Sequence, residues 1–355
     1  MSERIEGESV GVKRMSPARM AVQVLGFAAS VALLVWCVRI ALKDENRDAL
    51  DRVLHGDPWM IVGMLGLCGM SLVANGTLFV VVIAPVRRVH WLSCCATNAL
   101  ATFLNNFPFK LSLASRFLIH KRRDGLPLLM IAAWIGATAA VILAVLGATL
   151  VATMWRGAVD ALWWVSSVGA AVVGFAVIVG CARVFAGEAG KERLARLVGV
   201  TRIGVLERVV RGAWFAKMHT GLDMLASARA VGGGMLLRVL DTAFIAGRFA
   251  VAAELAGVEA SMGSVVLAAT LYFFIGAVTP SGALGARDGG TFGAMKFLPA
   301  AGAIGSEFAV VILTVTASEF VVNLCAATAS ALYLRLSKAR PATVVAGTGG
   351  DAHAS

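Results

Sequence analysis

Charge is scarce in this sequence. Asp, Glu, Lys and Arg together make 15% of the 355 residues, against 59% hydrophobic. That balance excludes an ordinary soluble domain and implies an integral membrane protein. Histidine is scarcer still: the five (His55, His90, His120, His219, His353) lie near segment edges and never form H-E-x-x-H or another ligand spacing. No P-loop, glycine-rich nucleotide fingerprint or nucleophile elbow is present. Any transport is then passive, ion-coupled or driven by a partner, and neither catalysis nor a cofactor is expected. The six cysteines (Cys37, Cys68, Cys94, Cys95, Cys181, Cys325) contain no C-x-x-C and mostly lie in apolar runs. They read as buried reduced thiols rather than a metal or disulfide site. The net charge of +11 does not point to nucleic acid, because the basic residues flank apolar runs. Topology determinants facing anionic headgroups have that pattern.

Residues 1–19 form a polar segment, and apolar runs predict full spans at Met20–Leu42, Trp59–Pro85, Leu126–Met154, Ala161–Phe185, Val231–Ala253 and Ala303–Leu336. The first run is too long for a signal-peptide core and lacks a small-residue cleavage site, so it reads as a retained span. Gly63, Gly66 and Gly69 are small residues of the kind that let helices approach closely. Within 187–229, apolar residues recur at helical spacing opposite arginines and lysines. That predicts an amphipathic helix on the membrane surface, anchored by Trp214. The tail, 337–355, is small and polar and is expected to be disordered. A single transmembrane domain then covers 20–336.

Two segments break the apolar pattern. Residues 91–119 carry Asn105-Asn106-Phe107-Pro108-Phe109-Lys110 at their middle, and 261–296 carry Thr279-Pro280-Ser281-Gly282-Ala283-Leu284-Gly285-Ala286-Arg287-Asp288-Gly289-Gly290. Proline lacks an N–H and disfavours helix in the residue before it. Non-helical backbone at membrane depth survives only inside protein or beside a water-filled cavity. Both segments are therefore expected to be broken or re-entrant. If each enters and leaves on one side, the positive-inside pattern places both termini in the cytoplasm and leaves six full spans. Counting each broken element as two short helices gives eight. The broken elements then enter from opposite faces, the arrangement of an inverted repeat around a midplane site. The expected fold class is all-α and polytopic, with six to eight transmembrane helices.

Unwound backbone and half-helix N-termini offer N–H donors to an anion, and arginine adds a guanidinium fork that grips phosphate. The candidate anion-binding residues are Asn105, Asn106, Pro108, Lys110 and Arg116 in the first element, with Pro280, Ser281, Gly282, Gly285 and Arg287 in the second. An arginine at this depth costs about 2.5–3.5 kcal/mol on insertion scales and so needs a partner or a task. The bland alternative is a pair of proline kinks with a local Arg287–Asp288 ion pair. Arg238 and Asp241 stand three apart on one helix face, positioned to pair. Asp241 and Glu319 fall near mid-span, where a carboxylate carries a proton, neutralises an arginine of the broken elements, or makes a static interhelical pair. Arg248 and Glu307 lie nearer span ends, within snorkelling reach of the interface.

At these residues the sequence resembles the lysylphosphatidylglycerol synthase transmembrane-region family, also called flippase-like membrane proteins. Asn105 to Lys110 followed by Arg116 resembles the family's Asn-rich turn with proline and a basic residue. Thr279 to Asp288 resembles its Pro/Gly-rich turn ending in arginine and an acidic residue. Ser112-Leu113 stands where members commonly have Gly-Glu, and Lys110 where they have arginine. The similarity in span layout covers about residues 20–336. It implies a bacterial or archaeal inner-membrane protein that moves or handles lipids or lipid-linked sugars. Two-domain members add a soluble aminoacyltransferase; none is visible here, so synthase activity is not expected.

The leading expectation is a lipid translocator whose broken elements form a polar cavity for a phospholipid or polyprenyl-phosphate headgroup. Arg287, Lys110 and Arg116 would grip phosphate, while Asp288, Asp241 and Glu319 balance charge or relay protons. The second is a non-transporting scaffold that positions a membrane-associated glycosyl- or acyltransferase. A third, a lipid-modifying enzyme, lacks a visible nucleophile or metal cluster.

Overall fold

The computed structural model describes residues 17–200, 212–279, 282–302, 304–339 and 341–344. The expectations for the polar segment up to residue 16, for residues 201–211, for Pro280 and Ser281, and for the tail beyond Val344 fall outside these. In chain order the helices are α1 (Pro17–Ala41), α2 (Arg47–Leu54), α3 (Pro58–Ile83), α4 (Trp91–Leu104), α5 (Leu111–Arg123), α6 (Leu128–Arg156), α7 (Ala161–Phe185) and α8 (Gly187–Val200). Then come α9 (Ala213–Leu225), α10 (Ala228–Ala256), α11 (Met262–Val278), α12 (Ala286–Phe297) and α13 (Phe308–Leu336). The chain is an all-α polytopic membrane protein. Five helices, α1, α3, α6, α7 and α13, are long and apolar enough to cross a membrane. The sixth long helix, α10, has 29 residues and buries Arg238, Asp241 and Arg248. At about 1.5 Å per residue, 29 residues reach roughly 43 Å, more than the ~30 Å hydrocarbon core.

Local chemistry sets the helix ends. Asp57 accepts from the Trp59 N–H ahead of Pro58 at the start of α3, and Asp160 accepts from the Trp163 N–H to cap α7. Ser227 and Ser261 cap α10 and α11 in the same way. Such caps satisfy N–H groups that have no partner within the helix. Gly157 and Gly257 close α6 and α10 with left-handed backbone, the usual glycine terminator.

Contacts between the ends fix the direction of every span. The Ser306 hydroxyl donates to Asn46 at 3.0 Å, so α13 begins where α1 ends. Gly263 packs on the Gly157–Ala158 backbone, so α11 begins where α6 ends. At the opposite end, Arg183 donates to the Ala226 carbonyl at 3.2 Å, which brings the start of α10 to the end of α7. There too Arg123 binds the Ser337 carbonyl, and β1 (Arg87–Arg88) pairs antiparallel with β2 (Thr343–Val344). Two series result: α1, α3, a hairpin (α4–α5), α6; and α7, α10, a hairpin (α11–α12), α13. The order is the same and the direction opposite, which is an inverted repeat. The helix pairs match in length, with 25 residues in α1 and in α7, and 29 in α6 and in α13. The most extensive helix–helix contact joins the equivalent spans α3 and α10.

Three expectations change. Gly63, Gly66 and Gly69 face open space; close approach falls instead to Gly76 against Cys95, and to Gly233 and Gly234 against Val81, Val82 and Val141. The second half of the amphipathic region does not lie free on the surface. Helix α9 docks on α6 through Gly221, and His219 and Met224 are buried there. Residues 341–344, at the start of the tail expected to be disordered, instead lie against the bundle, where the Ala342 N–H donates to the Asp124 carbonyl at 2.9 Å and β2 pairs with β1.

Candidate functional site

The hairpins enter from opposite ends and touch at their tips. In the first, α4 unwinds through Asn105, Asn106 and Phe107, whose N–H groups bond carbonyls three residues back. Phe109 and Lys110 then adopt left-handed backbone (φ 67° and 51°) before α5 starts. Such positions cost about 1–3 kcal/mol each where no glycine relieves them, and they cluster at functional turns. In the second, Gly282 has φ +111°, and a Cβ there would lie 3.1–3.2 Å from the Asn106 and Phe107 backbone. The Ala283 N–H donates to the Asn105 carbonyl at 2.8 Å. Glycine is therefore required where the two backbones cross.

Beyond the crossing, α12 starts at the bundle's interior. Asp288, in its first turn, accepts from the Gly285 N–H at 2.7 Å and from the Thr316 hydroxyl at 2.5 Å. An acid here satisfies an orphan donor and complements the positive end of the helix. Asp288 is wholly buried and lies 3.9 Å from the Arg287 guanidinium.

Beside the crossing lies a cavity of about 310 Å³, walled by residues of both hairpins and of α3, α6, α10 and α13. Its charged residues are Arg116, Arg248, Arg287 and Glu319. Glu319 sits between two guanidinium groups, accepting from Arg287 at 2.7 Å and from Arg248 at 3.2 Å, and Asn323 adds an amide bond at 3.3 Å. Arg287 stacks on Tyr272, with 4.6 Å from Cζ to ring centroid. Among the described residues no carboxylate stands beside Arg116: it donates to the Asn98 side-chain oxygen at 2.7 Å and lies over the Phe79 ring. Among the described residues, Arg287 Nε and Nη2 and Arg248 Nε are buried with no hydrogen-bond acceptor. Unmet guanidinium donors on a cavity wall are an anion-binding feature.

The candidates separate on this geometry. Asn105, Arg116, Arg287 and Glu319 line the cavity. Gly282 and Gly285 shape the second tip, with Gly285 pressed against the Ser30 carbonyl. Asn106 is buried with its Nδ2 unpaired, but it lies outside the cavity wall, as does Pro108. Lys110 is exposed at the tip, turned away by the left-handed backbone. Arg238 and Asp241 form a buried pair off the cavity wall, with Arg238 over the Phe273 ring at 3.5 Å and Ser71 donating to Asp241; Arg238 Nε and Nη2 have no hydrogen-bond partner among the described residues. Arg248 does not snorkel. It is 3% exposed, because α10 packs along α3 and aims this residue at Cys68 and Glu319. Sequence reasoning passed over Asn98, Tyr272 and Asn323. The signals available were an isolated polar residue in an apolar helix, one of only two tyrosines in the chain, and an Asn one turn after Glu319. No protein-family model, curated protein or solved structure matches this chain, so a functional reading has to rest on the cavity and the two crossed hairpins.

Proposed function

We propose that this protein is a flippase-like lipid translocator of a bacterial or archaeal cytoplasmic membrane, with both termini in the cytoplasm. Its cargo is a phospholipid or a polyprenyl-phosphate-linked lipid, whose anionic headgroup enters the cavity between the hairpin tips. The observation that carries this reading is the buried charge. Four arginines (Arg238, Arg248 and Arg287 buried, Arg116 half-buried) stand with three carboxylates (Asp241, Asp288, Glu319), and Arg116, with no carboxylate partner among the described residues, lines the cavity. A cation buried at membrane depth without a counter-ion is costly, and an anionic ligand supplies the missing charge.

The remaining geometry agrees with that role. About 310 Å³ is at the lower end of small-molecule pockets, which run from roughly 300 to 1,000 Å³. It suits a phosphate-bearing headgroup whose chains stay in the bilayer. Opposed hairpins in an inverted repeat are the architecture on which alternating access is built. Glu319 is the one carboxylate on the wall among the described residues, so it competes with phosphate for Arg248 and Arg287 and weakens the hold that release must overcome. Asp288 and Asp241 are already committed to fixed partners and act as structural counter-charges.

The experiment is reconstitution of the purified protein in liposomes carrying headgroup-labelled phosphatidylglycerol. Faster transbilayer movement than in protein-free vesicles is expected. No movement for any of several anionic headgroups, with and without a pH gradient, would contradict the proposal. A co-purifying transferase would then favour the scaffold reading.

A further inference from the structure

We infer that the protein holds a second phosphate-binding site, at the base of the first hairpin and distinct from the central cavity. A cavity of about 420 Å³ opens there, lined by His90, Ser93, Arg123, Tyr333 and Lys338 among others, with no carboxylate on its wall among the described residues. Three polar atoms of these residues are buried with no hydrogen-bond partner: His90 Nδ1, Ser93 Oγ and Arg123 Nε. Ser93 itself is only 4% exposed. Buried polar atoms are normally satisfied, so three unmet in one cavity mark a place prepared for a ligand.

The backbone points to an anion. His90 is the N-cap of α4 and makes no side-chain capping bond. The first intrahelical bond runs from the Cys94 N–H to the His90 carbonyl, which leaves the N–H groups of Trp91, Leu92 and Ser93 without helical acceptors. Leu92 and Ser93, at the positive end of the helix dipole, line the same cavity as two cationic side chains, Arg123 and Lys338. The opposing dipole end, at the C-terminus of α13, is already neutralised. The Arg123 Nη atoms donate to the carbonyls of Leu334, Ser337 and Lys338, which leaves Nε for a ligand. The ligand chemistry is a phosphate monoester or free phosphate. At the end of the bundle where α3, α5 and α13 terminate, either a lipid headgroup at the interface or a soluble phosphate can supply it. The site is one helix length from Asn105, 14 residues or about 21 Å along α4. It does not depend on the translocation reading.

The test compares full-length wild type, Ser93→Ala and Lys338→Glu in detergent micelles. Native mass spectrometry follows titration with phosphatidic acid or phosphatidylcholine, and calorimetry follows inorganic phosphate. One saturable class of phosphatidic acid binding is expected to weaken about tenfold or more with each substitution, while binding at the central cavity and phosphatidylcholine binding stay unaffected. The same pattern for inorganic phosphate alone would assign the site to a soluble anion. Lys338 is exposed, so its reversal tests the charge without disturbing the core. Binding of both anions that is absent in wild type, or equal in all three proteins, would overturn the inference.

Discussion

The Ala283 N–H donates to the Asn105 carbonyl at 2.8 Å, bonding the tip of one hairpin to the tip of the other. Each hairpin thereby closes the other's broken backbone, as unwound chain at membrane depth requires. The polar cavity sits against this junction, so the architecture and the chemistry share one point.

Gly282→Ala tests the junction. Its Cβ would press on the Asn106 and Phe107 carbonyls from a backbone angle that alanine rarely adopts. A loss of about 1–3 kcal/mol is expected, read as a lower unfolding temperature in detergent. An unchanged melting curve would mean that the tips separate freely.

Glu319→Ala separates stability from binding. Removing the carboxylate strips Arg248 of its carboxylate partner and leaves Arg287 only the more distant Asp288, at 3.9 Å. Loss of one partner from a buried pair costs about 3–5 kcal/mol. The same change frees both guanidinium groups, so phosphate affinity measured on the folded fraction should rise. A fall in affinity would mean that Glu319 organises the arginines rather than competing for them.

The Arg238–Asp241 pair lies off the cavity wall, and so is expected to be structural. Arg238→Met alone strands Asp241 and should destabilise by about 3–5 kcal/mol, while Arg238→Met with Asp241→Leu should recover most of the loss. Lipid transfer by the double variant should stay near the wild-type rate. Loss of transfer with stability restored would instead assign Asp241 a part in moving charge.

Much of this architecture was legible because it rests on strong local signals. Pro108 in an Asn-rich stretch, and Gly282 and Gly285 with their positive-φ backbone, interrupt the apolar helices, and both breaks fall within the segments whose composition predicts them. The three-residue spacing of Arg238 and Asp241 gave their pairing. What sequence could not supply was direction across space. Arg248 looked close enough to a span end to reach the interface, but the packing of α10 on α3 turns it inward. Lys110 looked like a partner of Arg116, but two left-handed residues rotate it out of the cavity. The return of Thr343 and Val344 to Arg87 and Arg88 pairs residues more than 250 positions apart, and no local pattern encodes that.

The decisive comparison is Arg116→Ala against Lys110→Ala in the same liposome assay, at equal reconstitution and with anionic headgroup-labelled lipid. Both residues are basic and both belong to the first broken element, but only Arg116 lines the cavity. A charge-assisted hydrogen bond is worth about 1.5–3 kcal/mol, so Arg116→Ala should slow transfer about tenfold or more while Lys110→Ala stays within about twofold of wild type. Equal rates for all three proteins would contradict passage of the headgroup through this cavity.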